Sequence, residues 1–265
     1  MRIAFGVLIQ IFSTVGVIFL FGLLIASLRR IFCSISGAAG PKILLATGFI
    51  GTPIHELSHA LMCIVFGHKI RKIKLYDPDP TSGTLGYVDH SYNRKNLYHQ
   101  IGNFFIGVSP LLFGAFLIVL LMYLLVPSVF LSVTGVAFEL SVGPTFPIGE
   151  ILAFFWSAIM AIFCSLGSLE GWIFILLSIL IATHMELSGS DIKSGLWGLL
   201  FILLIYIPIS VTVGIFSPTG FDSLTKALAS FGIVFSALLS ISVIFLLFLI
   251  ITALIIKILV TSFKR

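Results

Sequence analysis

Residues 51–60 read Gly-Thr-Pro-Ile-His-Glu-Leu-Ser-His-Ala and lie in the middle of an apolar run over residues 43–66. If this run is a helix, His55 and His59 lie one above the other, because residues four apart share a helix face. Both imidazoles can then bind one metal ion. Glu56, one position round the helix, can accept a proton from a water on that metal. The spacing His-Glu-x-x-His therefore predicts a zinc-hydrolase site with Glu56 as general base.

The same three side chains have a second interpretation inside a membrane. A carboxylate at the centre of a membrane helix costs roughly 2.5–3.5 kcal/mol on insertion scales. The presence of His55, Glu56 and His59 within one apolar run therefore indicates a common function. They could hydrogen-bond to neighbouring helices, or line a path for protons or ions. The full spacing favours the metal site, and the ion path is the alternative.

The composition indicates a polytopic membrane protein. Of the 265 residues, 59% are hydrophobic and 9% are charged, whereas a soluble domain carries about 25% charged residues. We predict one integral membrane domain over residues 1–265. It has an N-terminal helix and linker at 1–42, a metalloprotease-like core at 43–200 and C-terminal helices at 201–265. The net charge of +5 fits basic cytoplasmic loops, and no basic, aromatic-bearing domain suggests nucleic-acid binding.

The three cysteines show no pattern typical of disulfide pairing or of a cysteine metal site. Cys33, Cys63 and Cys164 lie in or beside apolar runs and form no Cys-x-x-Cys pair. We therefore expect neither disulfides nor a cysteine zinc site.

The fold class predicted is an all-α membrane protein with about six transmembrane helices and a small β-hairpin. The predicted spans are 3–28, 43–66, 101–126, 172–185, 192–215 and 231–260. Residues 151–166 are short for a span, and we expect them to be re-entrant or interfacial. Residues 127–149 are interpreted as an interfacial loop, because proline and glycine interrupt them at Pro127, Gly135, Gly143, Pro144 and Pro147.

Basic residues give an orientation. If residues 151–187 cross twice, eight of the 15 Lys and Arg residues face the cytoplasm and seven face outside. If they make one net crossing and the amino terminus is cytoplasmic, the chain has six crossings and eleven of the 15 face the cytoplasm, which is the preferred arrangement. This arrangement predicts a multi-pass protein of the cell membrane whose site lies nearer the cytoplasmic side.

The polar loop over residues 68–99 predicts the hairpin. Ile73 alternates with Lys72 and Lys74, which is a strand period. Turn residues fill 77–83, and Leu85 with Tyr87 offers a second strand. We expect the hairpin to lie at the membrane surface, where its exposed edge could pair with an extended peptide. The alternative is a solvated basic loop that only fixes topology.

A third metal ligand is needed, because a catalytic zinc takes three protein ligands and leaves one position for water. The remaining polar cluster beside a span holds His184, Glu186 and Asp191. Asp191 follows Leu-Ser-Gly-Ser, a helix break that could turn its carboxylate inward. It could equally be an N-terminal residue of the next helix. His184 is the second choice, as a ligand or as a partner of one.

The chain resembles the site-2-protease type of intramembrane zinc metalloproteases. Residues 51–60 resemble that family's motif, and Ile-Gly-Val-Ser-Pro-Leu-Leu-Phe-Gly at 106–114 is similar to the start of its next helix. The family has an aspartate ligand on a later helix and a β-structured loop after the first. The resemblance implies His55, His59 and Asp191 as zinc ligands and Glu56 as the base.

Together, the motif and the resemblance imply a zinc-dependent intramembrane endopeptidase. Its substrates would be membrane-spanning or membrane-adjacent proteins or peptides within the lipid bilayer. Asn103, near the start of a span, could stabilise the oxyanion, or it could hydrogen-bond between helices. Two other functions remain open. One is the ion path or transporter, and the other is a catalytically inactive adaptor that binds partners through residues 68–99.

Overall fold

The computed structural model of this protein describes residues 1–79, 83–142 and 148–262, with side chains at 1–79, 83–138 and 152–262. A π-helical turn, Phe12–Gly16, joins the first two helices. The helices are α1 (Arg2–Ile11), α2 (Val17–Ser36), α3 (Ala39–Val65), α4 (Leu97–Leu125), α5 (Pro127–Val142), α6 (Ile148–Ser165), α7 (Leu169–Ala182), α8 (Gly189–Phe216) and α9 (Pro218–Ser262). Two antiparallel strands, β1 (Lys69–Lys74) and β2 (Tyr87–Ser91), form a small sheet between α3 and α4. The predicted helical fold with one hairpin after the motif helix is confirmed.

Four helical stretches of the described chain are long and apolar enough to cross a membrane. They are Arg2–Ser36, Leu97–Leu125, Gly189–Phe216 and Pro218–Ser262. The chain is therefore a membrane protein. The motif helix α3 is not one of the four, because its histidines, glutamate and proline lower its hydropathy. The count of six crossings stays a prediction.

The segment between α7 and α8 lies against α3. His184 Nε2 lies 3.2 Å from the carbonyl oxygen of Leu44, near the start of α3. Asp191 lies beside the two motif histidines, in the second half of α3. With 14 residues, α7 is about 21 Å long, which is shorter than the roughly 30 Å of a bilayer core. Residues 183–188 form a break between α7 and α8, at the junction of the spans predicted at 172–185 and 192–215.

The interfacial loop predicted at 127–149 is wrong for most of its length, because Pro127–Val142 forms α5. Pro127 is the first helical residue, where its missing N–H group leaves no extra hydrogen bond unmade. Gly135 lies within the helix. Gly143, Pro144 and Pro147 lie outside the described residues. The short segment at 151–166 is also helical, and Phe154 and Ala158 of α6 are fully buried in the core.

The hairpin packs along α3 rather than only at its end. Tyr76, just after β1, donates a hydrogen bond of 2.7 Å to the carbonyl oxygen of Leu45. Leu85, just before β2, lies against Gly48. These contacts reach the first quarter of α3, roughly 30 Å from its far end at 1.5 Å per residue. The connection between the strands therefore runs beside the motif helix. Residues 80–82 of the predicted turn lie outside the described residues.

Close helix approach at two glycines holds the break in place. A Cβ atom at Gly51 of α3 would collide with the His184 ring and the Leu180 carbonyl oxygen. A Cβ atom at Gly107 of α4 would collide with the Asp191 carbonyl oxygen. Because both positions lack a side chain, residues 183–191 can lie directly against α3 and α4.

Candidate metal centre

His55 and His59 are each oriented by a backbone carbonyl. His55 Nδ1 donates to the carbonyl oxygen of His184 at 2.7 Å, and His59 Nδ1 donates to that of Ile106 at 2.8 Å. A carbonyl oxygen can only accept, so the neutral rings carry their protons on Nδ1. Each Nε2 atom is then left with a lone pair.

The two Nε2 atoms lie 3.1 Å apart. Since neither carries a proton in these tautomers, they cannot hydrogen-bond to each other, and two lone pairs face one another. Such an arrangement is stable when a cation lies between the nitrogens. Carbonyl partners on the far nitrogens are also the usual way in which proteins orient metal-binding histidines.

Asp191 brings a carboxylate to the same place. Its Oδ1 lies 3.4 Å from His59 Nε2, and its Oδ2 lies 3.8 Å from His55 Nε2. Asp191 is also the third residue of α8, where it forms a capping box with Ser188. The two interpretations of Asp191 from sequence, inward carboxylate and helix N-terminal residue, are thus both realised.

The donor set fits a zinc ion. At metal–ligand distances of 2.0–2.2 Å, neighbouring ligands of a tetrahedral zinc lie about 3.3–3.6 Å apart. The observed separations of 3.1, 3.4 and 3.8 Å lie around that value. Two imidazoles and one carboxylate are a recognised catalytic zinc set, which leaves one position for water.

His184 does not direct its ring to this group. Its Nε2 lies 3.2 Å from the Leu44 carbonyl oxygen, and its Nδ1 lies 3.0 Å from the Thr183 hydroxyl. Its contribution to the centre is its own carbonyl oxygen, the acceptor for His55. Of the two roles suggested for His184, the geometry supports that of partner to a ligand.

Glu56 lines a cavity of about 240 Å³ together with His55 and His184. The residue is 7% exposed. Gly86, in the chain leading to β2, packs directly on its side chain. The cavity is also lined by Thr52, Leu85 and Ser188. Glu56 is therefore placed between the candidate metal ligands and the hairpin.

Asn103 is buried in α4. Its amide nitrogen lies 3.4 Å from Gln100 Oε1, one turn earlier in the same helix. This contact gives no direct support to either role suggested for Asn103, so the oxyanion role stays a prediction.

Several groups at the centre had no sequence signal. The carbonyl oxygens of Ile106 and His184 belong to the backbone, and any residue could supply them. Arg29 of α2 pairs with Glu186, and both line the same cavity. A charged residue within apolar sequence suggests an ion pair. Arg29 and Glu186 are too far apart in the chain for the sequence to identify them as partners.

Ser58 occupies the motif position between Leu57 and His59. Its hydroxyl donates to the His55 carbonyl oxygen at 2.6 Å and lies 3.1 Å from the hydroxyl of Ser109 in α4. The serine therefore joins the motif helix to α4 without entering the group of ligands.

Comparison with protein-family models, with curated proteins and with solved structures finds no match to this chain.

Proposed function

We propose that this protein is a zinc-dependent intramembrane endopeptidase that hydrolyses peptide bonds of membrane-spanning or membrane-adjacent proteins. The observation that carries the proposal is the convergence of two histidine Nε2 lone pairs and the Asp191 carboxylate, with Glu56 on the same helix beside an adjoining cavity. Three ligands with a neighbouring carboxylate are what hydrolysis requires, whereas a purely structural zinc site is usually closed by four ligands.

Each residue then has a role. His55, His59 and Asp191 would hold the zinc ion, which when bound polarises a carbonyl group and acidifies water. Glu56 accepts the proton of the attacking water and passes it to the leaving amine. The carbonyl oxygens of His184 and Ile106 keep both histidines in the tautomer that binds metal.

The hairpin is the element that we expect to receive the substrate. A transmembrane helix hides its peptide bonds in internal hydrogen bonds, so a substrate must unwind before cleavage. The strands pair only with each other within the described sheet, which leaves the outer edge of each strand for an extended segment. Because Gly86 packs on Glu56, a peptide held beside β2 would lie near the base.

The proposal includes a location. We place the protein in the cell membrane as a multi-pass protein with about six crossings, and the site nearer the cytoplasmic face. The excess of basic residues in the hairpin loop and at the C-terminal end supports this orientation. A test is the accessibility of single cysteines, introduced at Lys72 and Lys226, to a membrane-impermeant thiol reagent in intact cells. Labelling of the Lys72 position from outside would contradict it.

The deciding experiment compares wild type with Glu56→Gln. Both proteins are purified with zinc, reconstituted into vesicles containing a pool of single-span membrane proteins, and assayed for new peptide termini by mass spectrometry. We expect both to hold zinc and only wild type to generate new termini. New termini at equal rates with Glu56→Gln would refute the role of Glu56.

The rival functions give different results in the same material. An ion path predicts proton or ion flux across the vesicle membrane and no stoichiometric zinc. An inactive adaptor retains its partners when Glu56 is replaced, and it generates no termini in either form.

A further inference from the structure

A second group of metal-type donors lies one helical turn beyond His59. It consists of Cys63 near the end of α3, His68 just before β1, and His90 in β2. The Sγ atom of the cysteine and one nitrogen of each histidine lie within 4.8 Å of one another. The group shares no residue with the first centre. We propose that these three residues bind a second zinc ion, which joins α3 to the hairpin.

The tautomer of the neutral His68 ring favours a role as a metal ligand. Its Nε2 donates to the carbonyl oxygen of His99 at 3.0 Å, so the neutral ring has its lone pair on Nδ1. That Nδ1 lies 3.1 Å from Nδ1 of His90. Two nitrogens bound to one tetrahedral zinc lie about 3.3 Å apart, so both rings are already near the required separation.

Cys63 adds the donor that a simple pair of histidines would lack. A hydrogen bond between the two rings would account for the 3.1 Å separation, but not for a thiol at the same point. Cys63 is free and completely buried, and zinc prefers a thiolate with imidazoles. On binding, the thiol loses its proton to solvent and the sulfur becomes the anionic ligand.

The surroundings hold the histidines in place. Tyr92 stacks on the His68 ring with centroids 4.8 Å apart. His99 is not a fourth ligand in this arrangement, because its Nδ1 accepts the backbone N–H of Asn93. Three protein ligands therefore leave one position for water.

A second zinc ion would stabilise the hairpin. Its ligands come from the end of α3, from the corner at His68 and from the second strand. A single ion would cross-link these three segments and stabilise a two-stranded sheet, which is marginal by itself. The site does not depend on proteolytic activity, and it predicts two zinc ions per chain if the first centre also binds zinc.

The test uses cobalt(II), because only a thiolate ligand gives the intense thiolate-to-cobalt charge-transfer absorption. Full-length protein is purified in detergent, stripped with a chelator and titrated with cobalt(II). The first centre is removed with the double substitution His55→Ala and His59→Ala. We expect this variant to bind one equivalent of cobalt with the charge-transfer band. Adding Cys63→Ser should abolish the band, whereas adding Cys33→Ser or Cys164→Ser should preserve it.

A hairpin ligand provides a second variant in case Cys63→Ser fails to fold. In the same double-substituted protein, His90→Ala should weaken cobalt binding by about tenfold or more, the scale of effects seen at metal sites. Hydrogen exchange adds a readout without cobalt, since zinc should slow exchange of the β2 amides unless Cys63 is replaced.

The two proposals fail in different ways. Absence of the charge-transfer band in the double-substituted protein overturns the second site and leaves the endopeptidase proposal standing. A wild-type protein that binds a single equivalent, with the band and unaffected by the double substitution, supports the second site and contradicts the first.

Discussion

Ser188 and Asp191 hydrogen-bond to each other in both directions at the start of α8. The N–H group of Ser188 donates to Asp191 Oδ2 at 2.9 Å, and the N–H group of Asp191 donates to the Ser188 hydroxyl at 3.1 Å. The carboxylate that faces the motif histidines is therefore fixed by the cap of its own helix. The local structure of α8 and the metal centre depend on the same side chain.

This shared role predicts that Asp191→Ala and Ser188→Ala have separable effects. Each removes half of the capping box, so each should lower the free energy of unfolding by about 0.5–2 kcal/mol. Only Asp191→Ala removes a ligand, so only this variant should lose bound zinc. Thermal unfolding in detergent and zinc analysis after gel filtration measure the two effects. Full zinc occupancy in Asp191→Ala would remove Asp191 from the ligand set.

Gly51 should be intolerant of a side chain. Gly51→Ala places a methyl group against His184 and Leu180, so the segment whose carbonyl orients His55 must move. We expect a loss of about 1–3 kcal/mol of stability from overpacking, together with weaker zinc binding. The matched control is Gly135→Ala in α5, where nothing lies within 4 Å of the added Cβ atom. That change should be neutral or stabilise by about 0.5–1 kcal/mol. Equal stability and zinc binding of the two variants would contradict the close packing of Gly51 against His184 and Leu180.

The contact between Tyr76 and α3 predicts a local effect on the hairpin. Tyr76→Phe removes one hydrogen bond, worth about 0.5–1.5 kcal/mol. The acceptor that loses this bond is the Leu45 carbonyl oxygen in α3. We expect faster proteolytic nicking between β1 and β2, with little change in zinc content. Tyr123→Phe is the control, since Tyr123 is exposed in α4. Limited proteolysis followed by mass spectrometry measures the rate, and an unchanged rate would mean that the hydrogen bond does not hold the connection.

The loss of cleavage activity on removal of the metal should be reversible. A chelator should abolish the cleavage expected of wild type, and stoichiometric zinc should restore it, because the ligands are oriented by backbone carbonyls independently of the ion. Magnesium should not restore cleavage, since it prefers oxygen ligands and octahedral geometry. Restoration by magnesium would exclude the ligand set of two histidines and one aspartate.

The sequence predicted the local parts of the centre well. The four-residue spacing of His55 and His59 is a property of a single helix, so helix geometry alone places the rings together. The hairpin was also predicted, because alternation at 72–74 and turn residues at 77–83 are local signals. Asp191 was predicted only as one of two options, since its approach to α3 depends on the break at 183–188.

Other features could not be predicted from local pattern. The helix at Pro127–Val142 was interpreted as a loop, because proline and glycine are breakers inside a helix but not at its first turn. The packing of Tyr76 on Leu45 joins residues far apart in the chain and has no periodic signal. The expectation of no cysteine zinc site relied on the spacing between cysteines, and that spacing carries no signal for the proximity of Cys63 to His68 and His90.

The break between α7 and α8 has a consequence for biosynthesis. The histidines and Glu56 are translated and inserted long before Asp191 emerges from the ribosome. A nascent chain that stops short of α8 therefore carries the base and two nitrogen donors but not the carboxylate. If the proposed hydrolysis is correct, a chain would therefore become active only after α8 has docked against α3, and incomplete copies would not cleave neighbouring membrane proteins.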